Sequence, residues 1–518
     1  MPTYSQVGRL MIPIFMIGLT IVSLTAICRA DIVIDWNVIA TSAGPAAGKN
    51  ALEQSRIYAI THTAIYDALN AIDRRNRPYA LDQRAEPGAS PEAAVATAAH
   101  DVLVALLPTQ LAMLNAAYDV SLAAIADGPA KTDGIAIGQA AASAILTLRS
   151  TDGSNLAAPY TPGTNPGDYQ LTPPNFAPAV LPGWGNVTPF ALTSGSQFRP
   201  DPPRFFDLTS ARYAKDYNEV KEIGELNSTT RTAEQSEIAR FWYEGSPSGW
   251  NRIARVVSAQ QGLDPWQNAR LFGLLNFAMA DGFIGGFDAK YFYNFWRPIT
   301  AIRAGDTDNN PDTVADPAWS AFLVTPGAPD YPSTHSVLGA AAAEVLARFF
   351  GTDEISFSTT SGAPFAGITR SFTSFSQAAQ ENADSRVYAG IHFRTACRHG
   401  LAQGKQIGRY TFKHALRPVF DICLKDDRSG DMLQFNAASG DYQFLRCGGD
   451  DDFTLSGRGT VLRVGGVLAL VNSKVQAIIN RCTNVPQNRG QAIVRATPHG
   501  PVFIISDRNA DNNGCDCH

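Results

Sequence analysis

The sequence predicts a mainly α-helical protein in which a large helical bundle is followed by a small C-terminal β domain. Along most of the chain up to residue 420, apolar side chains recur every three or four positions, the spacing of a helix that buries one face. After Phe420 this spacing is replaced by short runs of β-branched and apolar residues separated by glycine and asparagine. With 518 residues, 45% of them hydrophobic, the chain can bury a large core and carry a second domain.

The first 30 residues are predicted to be an export signal. Arg9 supplies a short basic start, residues 10–27 are almost wholly apolar, and Ala30 offers a small residue for cleavage before Asp31. An uncleaved membrane anchor is the alternative, because the apolar run is about as long as a minimal span. No later segment is apolar over that length, so we expect a secreted or periplasmic protein without a membrane span once the signal is removed.

Four amphipathic segments form the first part of the predicted bundle. In residues 47–72, for example, Ile57, Ile60 and Ala64 fall on one helical face. Similar stretches, rich in alanine and leucine, lie at residues 91–107, 109–126 and 134–149. Consecutive helices joined by short turns are typical of a helical bundle.

Residues 159–203 interrupt this pattern. They contain 11 of the 32 prolines, which exclude regular structure. They also contain aromatic residues, in which a disordered linker would be poor, so we predict an ordered loop that wraps the bundle.

Helical spacing resumes after this loop. Thr232 and Gln235 have the spacing of a capping box and predict a helix start. The other helical segments are residues 209–226, 265–287 and 336–350.

The C-terminal region, residues 421–518, is predicted to be a small β domain. Its strand-like runs are residues 442–445, 460–464, 467–471, 492–496 and 502–505. After removal of the signal, six cysteines remain, and an even number in an exported chain favours disulfides, with 15 pairings open. These cysteines are Cys397, Cys423, Cys447, Cys482, Cys515 and Cys517.

The charge distribution argues against one class of partner. The formal net charge is −5, and lysine and arginine are not gathered into a block. This sequence lacks the electrostatic footprint of a nucleic-acid-binding protein, so no nucleic acid partner is expected.

The first segment with residues suited to chemistry contains Lys290 and Arg297. Seven positions, or two helical turns, separate them, so a continuous helix would present both cations on one face. Such a pair is usually solvated, but five of the six residues between them are aromatic and leave little of the segment free to face water. Because burying an unpaired charge is costly, two cations held among aromatic side chains predict an anion bound beside them.

The second segment is Tyr331-Pro332-Ser333-Thr334-His335, directly before the helix predicted for residues 336–350. Ser333 lies where an N-cap residue belongs. The free N–H groups of the first helical turn, together with the helix dipole, then form a seat for an oxyanion. Taken alone, Ser333 would be an ordinary cap and His335 a structural histidine.

The third segment contains Ser385, Arg386 and His392, with Gly390 between the last two. Six positions along an unbroken helix would leave the arginine and the histidine about 120° apart. We therefore expect the chain to bend near Gly390. Taken alone, Arg386 would be an ion-pairing arginine and His392 a structural histidine.

In order, the segments read Lys, six residues, Arg-Pro; then Pro-Ser-Thr-His after a gap of 33; then Ser-Arg, five residues, His after a gap of 49. This order resembles the shared signature of vanadium-dependent haloperoxidases, bacterial class A acid phosphatases and type 2 phosphatidic acid phosphatases. Four flanking segments are similar to the soluble bacterial haloperoxidase-like branch. They are Trp184-Gly185, Phe198-Arg199-Pro200, Asn218-Glu219-Val220-Lys221 and Phe241-Trp242. The resemblance implies a haloperoxidase-like catalytic domain over residues 31–420.

The resemblance also implies a role for each site residue. The cations Lys290, Arg297 and Arg386 would neutralise the equatorial oxygens of the bound oxyanion, to which the Ser333 hydroxyl and the Thr334 N–H would donate hydrogen bonds. His392 would be the axial residue, either the protein ligand of vanadate or the nucleophile that forms a phosphohistidine. His335 would be the acid–base residue.

One position departs from the family pattern. The family usually has glycine between the serine and the histidine, where this chain has Thr334. Threonine can still supply the backbone N–H unless the site requires a positive φ there.

Three functions follow from the resemblance. The first is a vanadate-dependent peroxidase that uses hydrogen peroxide and halide. The second is a phosphatase without a cofactor that hydrolyses phosphomonoesters at the same pocket. The third is an exported binding protein whose pocket has lost turnover and whose β domain is the interaction module.

Overall fold

The structure is a computed structural model that describes residues 31–419 and, beyond them, only the backbone of eight strands between residues 422 and 506. The predicted export signal lies outside the described residues. The mainly helical fold predicted from the sequence is confirmed, with thirteen α-helices in the described part. The helices are α1 Ile32–Ala46, α2 Ala51–Ile72, α3 Pro91–Leu106, α4 Leu111–Ala123, α5 Pro129–Leu148, α6 Ala211–Ile223, α7 Ala233–Phe241, α8 Ser246–Gln261, α9 Pro265–Tyr293, α10 Pro298–Arg303, α11 Thr334–Phe350, α12 Phe375–Tyr388 and α13 Arg394–His414.

Helix α1 has no counterpart in the sequence prediction, which places the first helix from residue 47 onward. Its first turn, Ile32, Val33 and Ile34, is β-branched and therefore has a low intrinsic helix propensity. The side chains of Val33 and Trp36 are fully buried against the rest of the bundle. Tertiary packing thus outweighs the local preference.

Helices α2–α5 are the four amphipathic segments predicted from the sequence, with ends shifted by a few residues. Helix α2 begins after a capping box in which Asn50 and Glu53 satisfy each other's backbone N–H groups. Helices α3 and α5 approach closely at Gly138, where an added Cβ would lie 2.6 Å from the carbonyl oxygen of Ala94. Small residues therefore set the distance between these two helices.

The proline-rich stretch 159–203 forms the ordered, irregular loop that the sequence predicts, with a single 3₁₀ turn at Trp184–Asn186. Asp281 in the middle of α9 fixes this loop. Its carboxylate accepts hydrogen bonds from the N–H groups of Phe190, Ala191 and Leu192 at 2.7, 2.7 and 2.9 Å. The loop is thereby attached to the longest helix of the fold.

Helices α11 and α13 pack against each other through three glycines spaced four residues apart in α13, Gly400, Gly404 and Gly408. An added Cβ at Gly400 would lie 2.6 Å from the carbonyl oxygen of Ser333. Because α13 begins two residues after His392, this close contact brings the second and third chemical segments of the sequence together.

A short hairpin, β1 Phe357–Thr360 and β2 Thr369–Phe372, follows α11 and was not predicted. Its strands are antiparallel, with Phe357 opposite Phe372, and both rings are buried. Strands of four residues are too short for an alternating pattern to be visible in the sequence.

Eight strands lie beyond residue 421, where the sequence predicts a β domain. They are β3 Ile422–Lys425, β4 Met432–Phe435, β5 Asp441–Leu445, β6 Thr454–Arg458, β7 Thr460–Val464, β8 Val467–Val471, β9 Ala492–Thr497 and β10 Gly500–Ser506. They form two antiparallel four-stranded sheets in the orders β3-β4-β5-β6 and β7-β8-β10-β9. The five predicted runs coincide with β5 and β7–β10.

The expectation of disulfides does not hold for Cys397, which is a buried free thiol in α13. The side chains of the other five cysteines lie outside the described part of the chain.

In the part of the chain that the structure describes, no single helix is long and apolar enough to cross a membrane. One pair bent by 118°, Pro91–Leu106 with Pro108–Ala123, meets the length and composition criteria only when taken together.

Candidate functional site

Lys290 and Arg297 do not lie on one helix, so this part of the sequence prediction is wrong. Helix α9 ends at Tyr293, and Asn294 follows with a left-handed φ of 52°. Arg297 is extended and precedes Pro298, the first residue of α10. A proline disfavours helical backbone in the residue before it, and asparagine is one of the few residues that tolerate the left-handed region. The chain turns between the two cations, yet both side chains are buried.

Lys290, in the last turn of α9, is held by backbone carbonyls. Its Nζ donates to the carbonyl oxygens of Pro329 and Asp330 at 2.6 and 3.0 Å, and its side chain is only 1% exposed. Burial, and next the neighbouring Arg297, lower the pKa of Lys290 well below its ordinary value. A bound anion would raise this pKa again, because it favours the charged ammonium.

Arg297 connects the segments that precede α11 and α13. Its Nε donates to the carbonyl oxygen of Ala328 at 2.6 Å, and its Nη1 donates to that of Ile391 at 2.7 Å. The same Nη1 lies 2.9 Å from Nε2 of His392. Burial lowers the pKa of Arg297, although Asp330 counteracts this effect.

The start of α11 offers the free donors that the sequence predicts. Ser333 occupies the N-cap position but does not cap the helix with its side chain. Its hydroxyl accepts a hydrogen bond from the Ser336 hydroxyl at 3.1 Å, and its N–H donates to the carbonyl oxygen of Ala396 at 3.0 Å. Within residues 31–419, the N–H groups of Thr334, His335 and Ser336 have no acceptor. Three donors at the positive end of a helix dipole are suited to an oxyanion.

Thr334 fits this helix start, because it is the first residue of α11 and its φ is not positive. The space for its side chain comes from α9. An added Cβ at Gly286 would lie 2.7 Å from Cγ2 of Thr334. The departure from glycine in the family motif is thus accommodated by a glycine on the opposite helix.

The bend predicted near Gly390 is present. Helix α12 ends at Tyr388, and Gly390 follows with a φ of 77°. The backbones of Gly390 and Gly224 are in such close contact that a Cβ on Gly390 would overlap the Gly224 carbonyl group. Both the positive φ and the lack of space require glycine here.

Arg386, in the last turn of α12, is the least satisfied of the three cations. It is 1% exposed, its Nη1 makes one long hydrogen bond of 3.3 Å to the carbonyl oxygen of Trp242, and its Nε has no partner among the described residues. Its charge lowers the pKa of His335, His392 and Lys290. It therefore lies close to the other site residues.

His392 directs the lone pair of Nε2 toward Arg297. Since an arginine can only donate, the 2.9 Å contact between Arg297 Nη1 and His392 Nε2 requires Nε2 to be unprotonated. The other ring nitrogen, Nδ1, lies 2.8 Å from Oδ1 of Asp330, at ion-pair distance but not aligned for a hydrogen bond. Burial, followed by Arg297, Lys290 and Arg386, lowers the pKa of His392 well below its ordinary value.

Among residues 31–419, Asp330 is the one acidic side chain in direct contact with this group of residues, and it was not among the residues predicted from the sequence. Its side chain is fully buried. Burial raises its pKa to about 7, and the charges of Arg297 and Lys290 only partly offset this effect. A single acidic residue directly before Tyr331 was the only signal in the sequence.

His335, in the first turn of α11, is half-buried. Its Nε2 lies 3.2 Å from the carbonyl oxygen of Glu244, in the turn between α7 and α8. Burial, and next the charge of Arg386, lower the pKa of His335 well below its ordinary value. The ring is therefore neutral at neutral pH.

The seven predicted site residues are Lys290, Arg297, Ser333, Thr334, His335, Arg386 and His392. The structure links them: Lys290 contacts the segment before α11, Arg297 contacts His392, and the charge of Arg386 lowers the pKa of both histidines. The three cations exceed the one carboxylate, Asp330, by two charges in an environment where each charge is costly to bury. Together with the free N–H groups of α11, this excess is suited to a multiply charged oxyanion.

A comparison with known families and proteins gives two sequence matches. Residues 270–420 match the family described as the VCPO second helical-bundle domain. The chain is also similar to the vanadium chloroperoxidase of Curvularia inaequalis, at 25% identity over 41% of this chain and 45% of that protein. The chain therefore spans somewhat less than half the length of this relative.

Solved structures resemble this fold over a larger part of the chain. A bacterial vanadium-dependent iodoperoxidase matches 74% of this chain and 95% of its own, with a TM-score of 0.64 and 26% identity. The holo form of a bacterial vanadium-dependent chloroperoxidase matches 74% of this chain and 92% of its own, with a TM-score of 0.58 and 19% identity. The second likeness concerns the fold alone.

Proposed function

Because the chain belongs to the superfamily of vanadium-dependent haloperoxidases and type 2 phosphatidic acid phosphatases, we propose that it is a vanadate-dependent haloperoxidase. In this reaction hydrogen peroxide, halide and a proton become hypohalous acid and water. The observation that carries the proposal is a set of three buried cations whose charges act on His392, together with free N–H groups at the start of α11.

The residues present fit vanadate. Lys290, Arg297 and Arg386 would neutralise its oxygens, and the Ser333 hydroxyl and Thr334 N–H would donate hydrogen bonds to them. The orphaned Nε of Arg386 is one donor that such an anion would satisfy. His392 Nε2 would be the protein ligand of vanadium. When bound, vanadate supplies the Lewis-acid centre that activates peroxide toward halide.

The surroundings of the two histidines prepare them for these roles. Asp330 lies beside His392 Nδ1, where a carboxylate favours a proton on Nδ1 and keeps Nε2 free to coordinate. His335, neutral because its pKa is lowered, would take a proton from incoming hydrogen peroxide and return it to the departing oxygen. The cations would bind and orient the anion without proton exchange.

The likeness to known proteins supports the peroxidase over a phosphatase. The similar proteins are a fungal vanadium chloroperoxidase and a bacterial vanadium-dependent iodoperoxidase.

A direct test is to purify the full chain without phosphate, add orthovanadate, and follow halogenation of a dimedone reporter with iodide, bromide or chloride. We expect halogenation that depends on vanadate, peroxide and halide together. Hydrolysis of p-nitrophenyl phosphate in the absence of vanadate, without halogenation in its presence, would instead identify a phosphatase. Binding of vanadate without either reaction would identify a binding protein.

We propose export on the basis of residues 1–30, which combine a basic start, an apolar run and a small residue before Asp31. Expression in a bacterial host, followed by mass spectrometry of the exported protein, tests this. A mature N-terminus at Asp31 is expected. A protein retained in the membrane with its first residues intact would support the anchor instead.

A further inference from the structure

The turn between α7 and α8, residues 242–245, contributes two backbone carbonyls to the site. The carbonyl oxygen of Trp242 accepts a hydrogen bond from Arg386, which lies on α12. The carbonyl oxygen of Glu244 lies 3.2 Å from Nε2 of His335, which lies on α11. One short turn therefore contacts two site residues that come from different helices.

The Glu244 carbonyl determines which nitrogen of His335 carries the proton. A carbonyl oxygen can only accept, so the contact requires a proton on Nε2. The neutral ring then has its lone pair on Nδ1. No other hydrogen bond of the His335 ring nitrogens is present among the described residues, so Nδ1 can act as the proton acceptor.

The carboxylate of Glu244 holds this turn from two sides. Its Oε1 is ion-paired with Nη2 of Arg252, one turn and a half into α8, and its Oε2 accepts a hydrogen bond of 2.9 Å from the N–H of Gly362 in the loop after β1. The residue is only 7% exposed. The space is closely filled, since an added Cβ at Gly249 would lie 3.0 Å from Oε1.

We infer that Glu244 is a positioning residue for the acid–base histidine: its carboxylate fixes the turn, and its carbonyl fixes the proton of His335 on Nε2, so that Nδ1 exchanges protons with the substrate. The identity of that substrate depends on the proposed function. The tautomer of His335 does not, because it is a property of the resting protein.

The turn has anchors that do not involve this carboxylate. The indole Nε1 of Trp242 donates to Glu381 at 3.0 Å, and the hydroxyl of Tyr243 donates to the carbonyl oxygen of Val324 at 2.8 Å. Loss of the Glu244 charge should therefore shift the 244 carbonyl without unfolding the domain. This separates a positioning role from a purely structural one.

The variant Glu244→Gln removes the charge at nearly constant volume and places an amide donor against Arg252 or Gly362. Arg252→Gln removes the main partner of the carboxylate and serves as a second variant if the first is unstable. Glu344→Gln is the matched control, because Glu344 forms an ion pair with Arg348 on the same helix as His335. Thermal unfolding of the full chain checks that all three variants fold.

The first measurement is ¹⁵N NMR of histidine-labelled full-length protein at pH 7.5, with the His335 signals identified from a His335→Gln spectrum. We expect His335 of the unsubstituted chain to carry its proton on Nε2, and Glu244→Gln to convert it to a mixture of tautomers. A proton on Nδ1 in the unsubstituted chain would overturn the inference. An unchanged Nε2 tautomer in both Glu244→Gln and Arg252→Gln would also overturn it. Neither result depends on halogenation.

The second measurement separates turnover from binding in the vanadate-loaded protein. Correct proton transfer by a positioned group contributes about 10²–10⁴-fold, so its partial loss in Glu244→Gln should lower kcat about tenfold. The Kd for orthovanadate and the KM for halide should change less than about twofold, because the three cations are untouched. Equal losses in Glu244→Gln and Glu344→Gln, or a loss confined to vanadate binding, would contradict a positioning role.

Discussion

Two parts of this molecule bury polar side chains between helices, and they differ in how those groups are satisfied. Away from the candidate site, α1, α2, α8 and α9 meet at an amide network. Asn37 donates to Asn251 at 2.7 Å and lies 2.8 Å from Nε2 of His62, and Asn251 and Asn276 exchange hydrogen bonds of 2.8 and 3.0 Å. Arg255, at the edge of this network, donates to Asn37.

The candidate site has the opposite balance. Three cations face one carboxylate, Arg386 keeps an unpartnered Nε, and the first N–H groups of α11 have no acceptor in the described part of the chain. In the amide network, by contrast, the amides satisfy one another, and Nδ1 of His62 is left without a partner. A nearly closed network stabilises a fold, whereas an open one with excess charge is suited to a ligand. The following substitutions test this distinction, beginning with the largest expected effect.

The largest contrast is expected between two buried histidines. His392→Ala removes the nitrogen that would hold vanadium and should lower halogenation at least about 10³-fold, as expected when a group of the reaction centre is lost. His62→Ala should retain kcat but lower the free energy of unfolding by about 2–3 kcal/mol, because it removes a ring stacked on Phe272 and leaves Asn37 with a lost hydrogen bond. Steady-state kinetics and urea unfolding measure both quantities. Full activity in His392→Ala would show that the pocket is wrongly assigned.

Arg386→Met should weaken anion binding while leaving the fold at least as stable. A hydrogen bond to a charged group contributes about 1.5–3 kcal/mol, so the Kd for orthovanadate should rise roughly 10- to 100-fold by the same principle. In the anion-free protein, the free energy of unfolding should stay constant or rise, since an unsatisfied buried charge is removed. Isothermal titration calorimetry and thermal unfolding without vanadate give the two numbers. A strongly destabilised variant would mean that the charge of Arg386 is already satisfied within the resting protein.

Asn251→Ala should produce the reverse pattern in the amide network. It removes the acceptor of one Asn37 hydrogen bond and the donor to the Asn276 side-chain oxygen, which is then unsatisfied in a fully buried position. Unsatisfied buried groups cost about 1–3 kcal/mol, so the midpoint of urea unfolding should fall while the Kd for orthovanadate is unchanged. A matched change in both quantities would show that the two regions are energetically coupled.

The pH dependence of stability should also differ between the two regions. Burial lowers the pKa of His62 to about 3, so the unfolded state binds the extra proton, and stability falls as pH decreases from about 6.5 to 3. Burial raises the pKa of Asp330 to about 7, so the folded state keeps the proton, and this contribution is lost as pH increases from about 4 to 7.

The variant His62→Gln isolates the first of these effects. It should flatten the acid side of the stability profile by up to about 1.4 kcal/mol per pH unit. The matching variant Asp330→Asn should make stability less dependent on pH between about 4 and 7. Urea unfolding at a series of pH values in anion-free buffer follows both. Identical profiles for the two variants would remove the distinction between the regions.

The smallest effect is expected for Thr334→Gly, which restores the residue usual in the family motif. The backbone N–H and its hydrogen bond to the anion are retained. The Kd for orthovanadate should therefore change less than about threefold, which is less than the loss of one hydrogen bond would cause. The side chain that fills the space beside Gly286 is lost, and glycine in a first helical turn costs about 1 kcal/mol. Calorimetry and thermal unfolding should therefore show a loss of stability without a loss of binding. A large gain in affinity would show that Thr334 distorts the helix start.

The sequence was sufficient for elements whose signal is local. The amphipathic spacing of α2, the capping box at Thr232 and the proline-rich loop over residues 159–203 are all present as predicted. Helices α8, α12 and α13 were not predicted from the sequence. Helix α1 and the hairpin of β1 and β2 were missed as well, because a β-branched first turn and four-residue strands carry little local signal and depend on burial for their stability.

The seven predicted site residues, Lys290, Arg297, Ser333, Thr334, His335, Arg386 and His392, could be chosen from the sequence, since their order and spacing, which resemble a family signature, are visible without coordinates. Their arrangement was decided by the tertiary structure. The break after α9 places Lys290 and Arg297 on separate elements, and Asp330 and the carbonyl of Glu244 enter the site as well. A backbone carbonyl has no signature in the sequence, and a carboxylate acquires its role only when folding brings it within hydrogen-bonding range of a ring nitrogen and removes water from both.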